Sequence, residues 1–205
     1  MHQTRAQVSK KIPIPRKGTK YLARQRGDLE NSVAVVVAVR DMLKLARTAK
    51  EVNEMIKQKL LKINGREVKD FREAVKLFNI LEADKSYILT LNQIGKFSLE
   101  ETKSKERICK VINKKILNGK KTQLNLHDGS NLISSQKVAV GDTIHLDFSG
   151  KMTKHVSFEK GKECLITSGK YIGFKGKIES TENGKVTVKL KDKSPILDKW
   201  SIIVI

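Results

Sequence analysis

The chain has 205 residues, with 42 lysines and arginines against 22 aspartates and glutamates and a formal net charge of +20. Solubility asks for a net charge of only about 2–8 in a small domain, so this excess points to a polyanionic partner, nucleic acid first and an anionic membrane second. The longest apolar run, Val33 to Val39, is far too short to cross a bilayer, and aromatic residues are 5% of the chain, too few for a surface built mainly on stacked bases.

The first acidic residue is Asp28, and Arg5, Lys10, Lys11, Arg16, Lys17, Lys20, Arg24 and Arg26 precede it. Such a run repels itself and packs no core of its own. Pro13, Pro15 and Gly18 interrupt any helix, which removes the amphipathic surface helix a membrane partner would require. Residues 1–27 are therefore expected as an extended basic arm, partly ordered at best when free. No apolar signal core follows the N-terminal charges, which reads as a cytosolic chain.

A helix is expected from Asn31 or Ser32, either of which can cap it, through Lys44. The β-branched run Val33 to Val39 fits a strand as well, but length and the cap favour helix. Thr48 and Glu51 form a capping-box pattern that opens a second helix through Gln58, with Ala49, Val52, Met55 and Ile56 on its apolar face. In Leu60 to Val68, two short strand-like runs flank Asn64-Gly65, a strong hairpin signal. Arg40, Arg47, Lys50, Lys57, Lys62 and Arg66 are expected on the outer surface of this helix-hairpin unit.

From residue 71 onward, strands dominate. Tyr87 to Leu91 reads as a strand and Gly95 as a turn. Basic residues crowd the stretch from Lys103 to Lys121, where Lys114, Lys115, Lys120 and Lys121 are candidate phosphate contacts. Gln123 to Gly129 reads as strand into turn, and Lys137 to Leu146 as strand, turn, strand. The last fifty or so residues give four or five strands punctuated by Gly161, Gly169, Gly173, Gly176 and Gly184, a pattern for a small barrel or sandwich. Cys109 and Cys164 are isolated and read as reduced structural thiols.

The most specific local pattern runs from Gly161 to Ile178. Leu165 and Ile178 lie in strands on either side of a glycine loop, where glycines permit positive φ and close backbone approach. Lys170, Lys175 and Lys177 cluster there within reach of phosphates. The segment resembles the KOW motif. A P-loop is excluded, because no Gly-Lys-Ser/Thr ending is present and a strand, not a helix, follows.

Taken in order, the chain resembles the archaeal and eukaryotic small-subunit ribosomal protein family S-four-e over roughly residues 11–205. The resemblance rests on Pro13 to Lys20, Val39 to Ala46, Ala49 to Val52, Ile63 to Val68, Leu126-His-Asp-Gly129, Val140 to Ile144 and the glycine cassette. The family's turn after the arm is replaced here by Gln25 to Leu29, and its strand after the hairpin by Phe78 to Leu81. The shorter extensions resemble an archaeal-type, reduced member.

The resemblance implies an α+β chain in four parts. These are a basic arm (1–27), a helix-hairpin S-four-like RNA-binding domain (28–95), a central β domain (96–156) and a C-terminal SH3-like KOW barrel (157–205). It implies a structural constituent of the small ribosomal subunit, in the cytoplasm. Small-subunit ribosomal RNA and neighbouring small-subunit ribosomal proteins would be its partners, with no membrane and no homo-oligomer. The alternative is a transcription-elongation or RNA-chaperone factor carrying a KOW module. No cofactor, metal site or enzymatic activity is expected. His127 and Asp128 look like a catalytic pair, but Asp-Gly is a turn signal, and His2, His127, His145 and His155 lack ligand spacing. Arginine ends at Arg107, so geometry-specific phosphate contacts are expected in the N-terminal half and diffuse lysine attraction beyond it.

Overall fold

The computed structural model describes residues 3–117, 121–182, 184–190 and 193–205. The chain divides into two compact units between Lys105 and Glu106.

In the first unit, Asn64 and Gly65 take φ of 52° and 78° and turn Lys62–Ile63 back against Arg66–Glu67. Both central residues of this turn need positive φ, which Asn and Gly supply at least cost. Ile80–Glu82 adds antiparallel to Lys62–Ile63, followed by Ser86–Leu91 and Phe97–Glu101, completing a five-stranded antiparallel sheet. Tyr87, Leu89 and Leu91 alternate inward along their strand, as the two-residue period of a half-buried sheet demands. The strand expected over Phe78 to Leu81 starts only at Ile80, because Phe78 turns left-handed at φ 62°. The ladder runs across the expected boundary at 95/96: Gly95 closes a hairpin, and its second strand, Phe97–Glu101, pairs with Ser86–Leu91.

The β-branched run splits between the two readings. Ser32–Ala34 is a strand antiparallel to Ala74–Lys76, and the chain then turns helical at Val35–Val37 and widens into a π turn over Ala38–Met42. Neither Asn31 nor Ser32 caps this helix; Ala34 precedes it, with no side-chain bond. The amides of Val35 and Val36 donate instead to the carbonyls of Glu73 and Phe71, both at 2.9 Å. Neighbouring backbone thus satisfies the first turn, and a side-chain cap is redundant. Ala49–Lys57 forms the second helix as expected, with Thr48 Oγ1 accepting from Glu51 N at 3.2 Å and the Glu51 carboxylate accepting from Arg47 N at 2.7 Å.

The arm is not extended. Gln3–Thr4 pairs with Tyr21–Leu22, and Arg5–Gln7 makes a single 3-10 turn. The Arg5 guanidinium donates to Thr19 O at 2.9 Å, to Thr19 Oγ1 at 3.1 Å and to Pro15 O. Ile12 is buried, and Phe97 N donates to Lys11 O at 2.7 Å. One arginine thus meets oxygens of the proline-containing turn, and one isoleucine anchors the loop, so residues 3–27 close on themselves within this unit.

In the second unit, Glu106–Ile116 is shared between two partners. Its first half pairs with Thr143–Asp147 and its second half with Thr122–Leu126, with a register shift between Val111 and Asn113. Such a bulge bends the strand and turns the sheet around its core. Asn131–Ser134 and Met152–Val156 complete five strands around Cys109, Val111, Leu124, Leu126, Ile144 and Leu146. The strand expected over 137–140 is absent; that segment is a loop, held where the Asp142 carboxylate accepts from Ala139 N at 2.9 Å. The second sheet orders Ile196–Asp198, Lys185–Lys189, Lys175–Glu182, Glu163–Ile166 and Ile202–Val204 around Cys164, Ile166, Ile178, Val186, Val188 and Ile202. Both cysteines are free and buried, and burial pushes the Cys109 thiol up to about 12 and the Cys164 thiol up to about 11. Among the described residues, no helix is long and apolar enough to cross a membrane.

Candidate nucleic-acid interface

The basic residues fall into three physical groups. In the first unit, Lys10, Arg16, Lys17, Lys20, Arg47 and Lys50 are exposed at the surface. Lys10 and Arg16 share an open groove with Arg5 and Lys96, its floor formed by Val8, Ile12, Ile14 and Leu22. The Lys20 ammonium lies 5.4 Å from the centre of the Tyr21 ring.

A second group is engaged with acids of its own unit. Arg40 grips Asp41 with two hydrogen bonds, Nε to Oδ1 at 3.0 Å and Nη2 to Oδ2 at 2.8 Å, and those bonds raise its already high pKa. Arg26 pairs with Asp70 at 2.8 Å, Lys57 with Glu54 at 2.9 Å and Arg66 with Glu73 at 2.8 Å. These last three cations stay largely exposed and such pairs are weak, so a phosphate can displace or share them. Lys62 and Arg24 are half-buried. Lys11 is also half-buried and donates to Asn31 Oδ1 at 2.7 Å; burial lowers its pKa against the pull of Glu30 and Asp28. Its main-chain and side-chain bonds make it a strap of the arm.

The third group belongs to the second unit. Lys115 projects from the same sheet face as Gln123 and Ile133, because directly paired residues share a face. Lys114 sits on the opposite face, its ammonium 3.5 Å from Val138 O. Lys121 is exposed, while Lys120 lies outside the described residues. Lys170 is exposed on the loop between Glu163–Ile166 and Lys175–Glu182, and Lys175 and Lys177 are exposed on the strand that follows.

The glycine cassette works as its residues suggest. Gly173 takes φ 83° and donates to Ile166 O at 2.8 Å, closing the loop. At Gly176 a Cβ would meet Lys189 O at 2.7 Å and Val188 Cγ1 at 2.6 Å, so only glycine allows the neighbouring strand to approach so closely.

His127 and Asp128 serve the turn. Asp128 accepts from Arg107 Nη1 at 2.5 Å, from Ser130 Oγ at 2.6 Å and from Ser130 N at 2.9 Å. Burial opposes its charge, but the Ser130 bonds and Arg107 outweigh it and hold the carboxyl below its ordinary range. His127 Nδ1 accepts from Lys110 N at 3.1 Å. Among the described residues, no group of three or more His, Cys, Asp or Glu side chains could hold a metal ion; His2 lies outside them.

Two residues that charge counting passed over organise the second unit. Lys110 is 2% exposed, and its ammonium donates to Lys199 O at 2.7 Å, Trp200 O at 3.2 Å and Ile202 O at 2.6 Å. Burial and the nearby Lys199 charge push its pKa down to about 8. Its neighbours Cys109 and Val111 belong to the apolar core, so alternation sends Lys110 to the other face; that register was the available signal. Trp200 is 59% exposed, and its ring centre lies 5.6 Å from the Lys110 ammonium.

Comparison with known proteins agrees with this architecture. Residues 83–153 match the model of Ribosomal family S4e, and residues 160–191 match the KOW motif. The small ribosomal subunit protein eS4 of Methanocella arvoryzae is 31% identical over 186 residues, covering 87% of this chain and 80% of that one. The eS4 protein of Archaeoglobus fulgidus is 32% identical over 187 residues, covering 88% and 80%. A crystal structure of the 30S ribosomal protein S4e from Thermoplasma acidophilum superposes with a TM-score of 0.75 at 25% identity, covering 86% of this chain and 95% of that one. With the β architecture, the glycine cassette and nearly the whole length in common, the chain belongs to the ribosomal S4e family.

Proposed function

We propose that this chain is a structural constituent of the small ribosomal subunit, acting in translation in the cytoplasm and holding small-subunit ribosomal RNA through its basic surfaces. Neighbouring ribosomal proteins would meet its remaining faces. The observation that carries the reading is family membership across most of the chain, with relatives named small ribosomal subunit protein eS4. The net charge of +20 and the exposed arm, helix and cassette lysines support it. In this reading the chain has a scaffolding role and catalyses nothing.

The finer organisation belongs to the same proposal. The arm is a preformed basic loop, and the helix-hairpin unit is an S-four-like RNA-binding domain that includes Phe97–Glu101. A central β domain follows, and the last sheet is a KOW domain of SH3-like form. RNA contact is assigned first to the exposed cations Lys10, Arg16, Lys17, Lys20, Arg47, Lys50, Lys170, Lys175 and Lys177. Multivalent phosphate neutralisation releases counterions, so association weakens steeply as salt rises.

Mass spectrometry across a sucrose gradient of native lysate, with a high-salt wash of the particles, tests the proposal. One copy retained per small subunit is the expected result. Protein at the top of the gradient or beside RNA polymerase overturns it in favour of an elongation or RNA-chaperone factor.

A further inference from the structure

Trp200 is the single tryptophan of the chain, and at 59% exposure it leaves most of an indole in solvent. Its position is fixed from several sides. It lies in the 3-10 turn Lys199–Ser201, whose Lys199 and Trp200 carbonyls both accept from the buried Lys110 ammonium. The next residue, Ser201, is tied to the stem of the KOW loop: its carbonyl accepts from Thr167 N at 2.8 Å and from Thr167 Oγ1 at 3.2 Å, and its hydroxyl is bonded to Ser168 Oγ at 2.7 Å. Lys170, exposed on the same loop, follows Ser168 by two positions.

We propose that Trp200 is a stacking platform for an unpaired RNA base, with Lys170 holding the adjoining phosphate. The inference rests on the ribosomal RNA-binding reading and names a contact within it. A cation against the indole, 5.6 Å from its centre, draws electron density toward itself and favours an electron-rich purine on the exposed face. Stacking accepts any base, because every base has a π face, so the platform recognises single-strandedness rather than sequence. A duplex, whose bases are already stacked, cannot use it.

Because Trp200 is the only tryptophan, the full-length protein reports on the site by itself. The probe is a short single-stranded polyadenylate RNA, compared with a fully paired RNA duplex of the same length. Single strands should quench indole fluorescence and the duplex should not. Trp200→Ala should weaken single-strand binding about tenfold while leaving duplex binding unchanged, and Trp200→Phe should restore most of the loss. Circular dichroism establishes that the variants are folded. Equal quenching by both RNAs, or unchanged single-strand affinity in Trp200→Ala, overturns the platform. So does quenching by RNA-free small-subunit proteins alone, which would make the occupant a protein. A Trp200→Ala chain that still sediments with the small subunit leaves the ribosomal reading intact whichever way the platform is decided; loss of wild-type sedimentation would speak against that reading separately.

Discussion

Lys110 and Lys199 are consecutive links of one hydrogen-bond chain within the second unit: Lys110 Nζ donates to Lys199 O at 2.7 Å, and Lys199 Nζ donates in turn to Val140 O at 2.8 Å. Lys199 also lies over the Phe158 ring at 4.8 Å, and its side chain fills the space a Cβ on Gly141 would need. Two like charges are held close because each meets carbonyl oxygens and an aromatic face. The central and C-terminal sheets are thereby joined by polar bonds as well as by the covalent chain.

Lys110→Met keeps the stem and removes every donor, leaving three carbonyls short of a partner. Urea unfolding should show a loss of about 2–4 kcal/mol. The pH dependence has a definite sign. The ordinary value is 10.5 and the folded value about 8, so between these limits the unfolded chain holds a proton that the folded chain has lost. Stability from this group is lowest below pH 8 and rises toward pH 10.5, by up to about 3 kcal/mol. Wild type minus Lys110→Met, measured at several pH values, isolates that slope; a flat difference would show that the ammonium keeps its charge throughout.

Asp142→Asn should loosen the same region at neutral pH. The Asp142 carboxylate accepts from Ala139 N at 2.9 Å, Phe158 N at 3.0 Å and His155 Nε2 at 2.7 Å. Burial raises its pKa, but these bonds and the His155 charge outweigh burial and lower it below 3.8. Its contribution is complete above pH 3.8 and is lost as pH falls through the lower folded value. Asp142→Asn lacks this carboxylate at every pH, so it should be about 1–3 kcal/mol less stable than wild type at neutrality, and urea unfolding at falling pH should show the difference shrinking as the wild-type carboxyl takes up its proton.

Charge reversal separates exposed cations from engaged ones. Arg47→Glu with Lys50→Glu should weaken ribosomal RNA binding about tenfold or more at low salt, with thermal unfolding little changed, since both side chains are exposed. Arg40→Glu should instead lower the melting temperature, because it places two carboxylates where a bidentate pair now sits. Unchanged RNA affinity in the folded double variant would remove the second helix from the interface.

Two glycines of the cassette should respond differently to alanine. Gly176→Ala meets backbone at 2.7 Å and should cost about 2–3 kcal/mol. Gly169→Ala meets nothing within 4 Å but sits at φ 86°, and should cost about 1 kcal/mol. Chemical unfolding of both variants gives the comparison directly.

Ile12→Asp should release the arm loop, because Ile12 is its buried anchor beside the Lys11–Phe97 backbone bond. Trypsin cleavage after Arg16 or Lys17 should accelerate about tenfold while the rest of the first unit stays protected. An unchanged cleavage rate would show that the Arg5 bonds alone hold the loop.

Local chemistry was legible in the residues themselves. Asn64-Gly65 announced its hairpin, Thr48 and Glu51 their helix start, and Gly173 its loop, because each acts through atoms only a few positions away. The charge of +20 pointed to a polyanionic partner, and the order of motifs along the chain to the family. What the residues did not disclose depended on partners far along the chain. Val35 and Val36 needed no cap because Glu73 and Phe71 met their amides, and the arm closed because Arg5 found Pro15 and Thr19. Lys110 was one lysine among many until residues about ninety positions away placed three carbonyls around it, at 2.6–3.2 Å. Sequence fixes which groups need partners; tertiary structure decides which partners they get, because burial removes water as the alternative and leaves only the atoms that folding brings near.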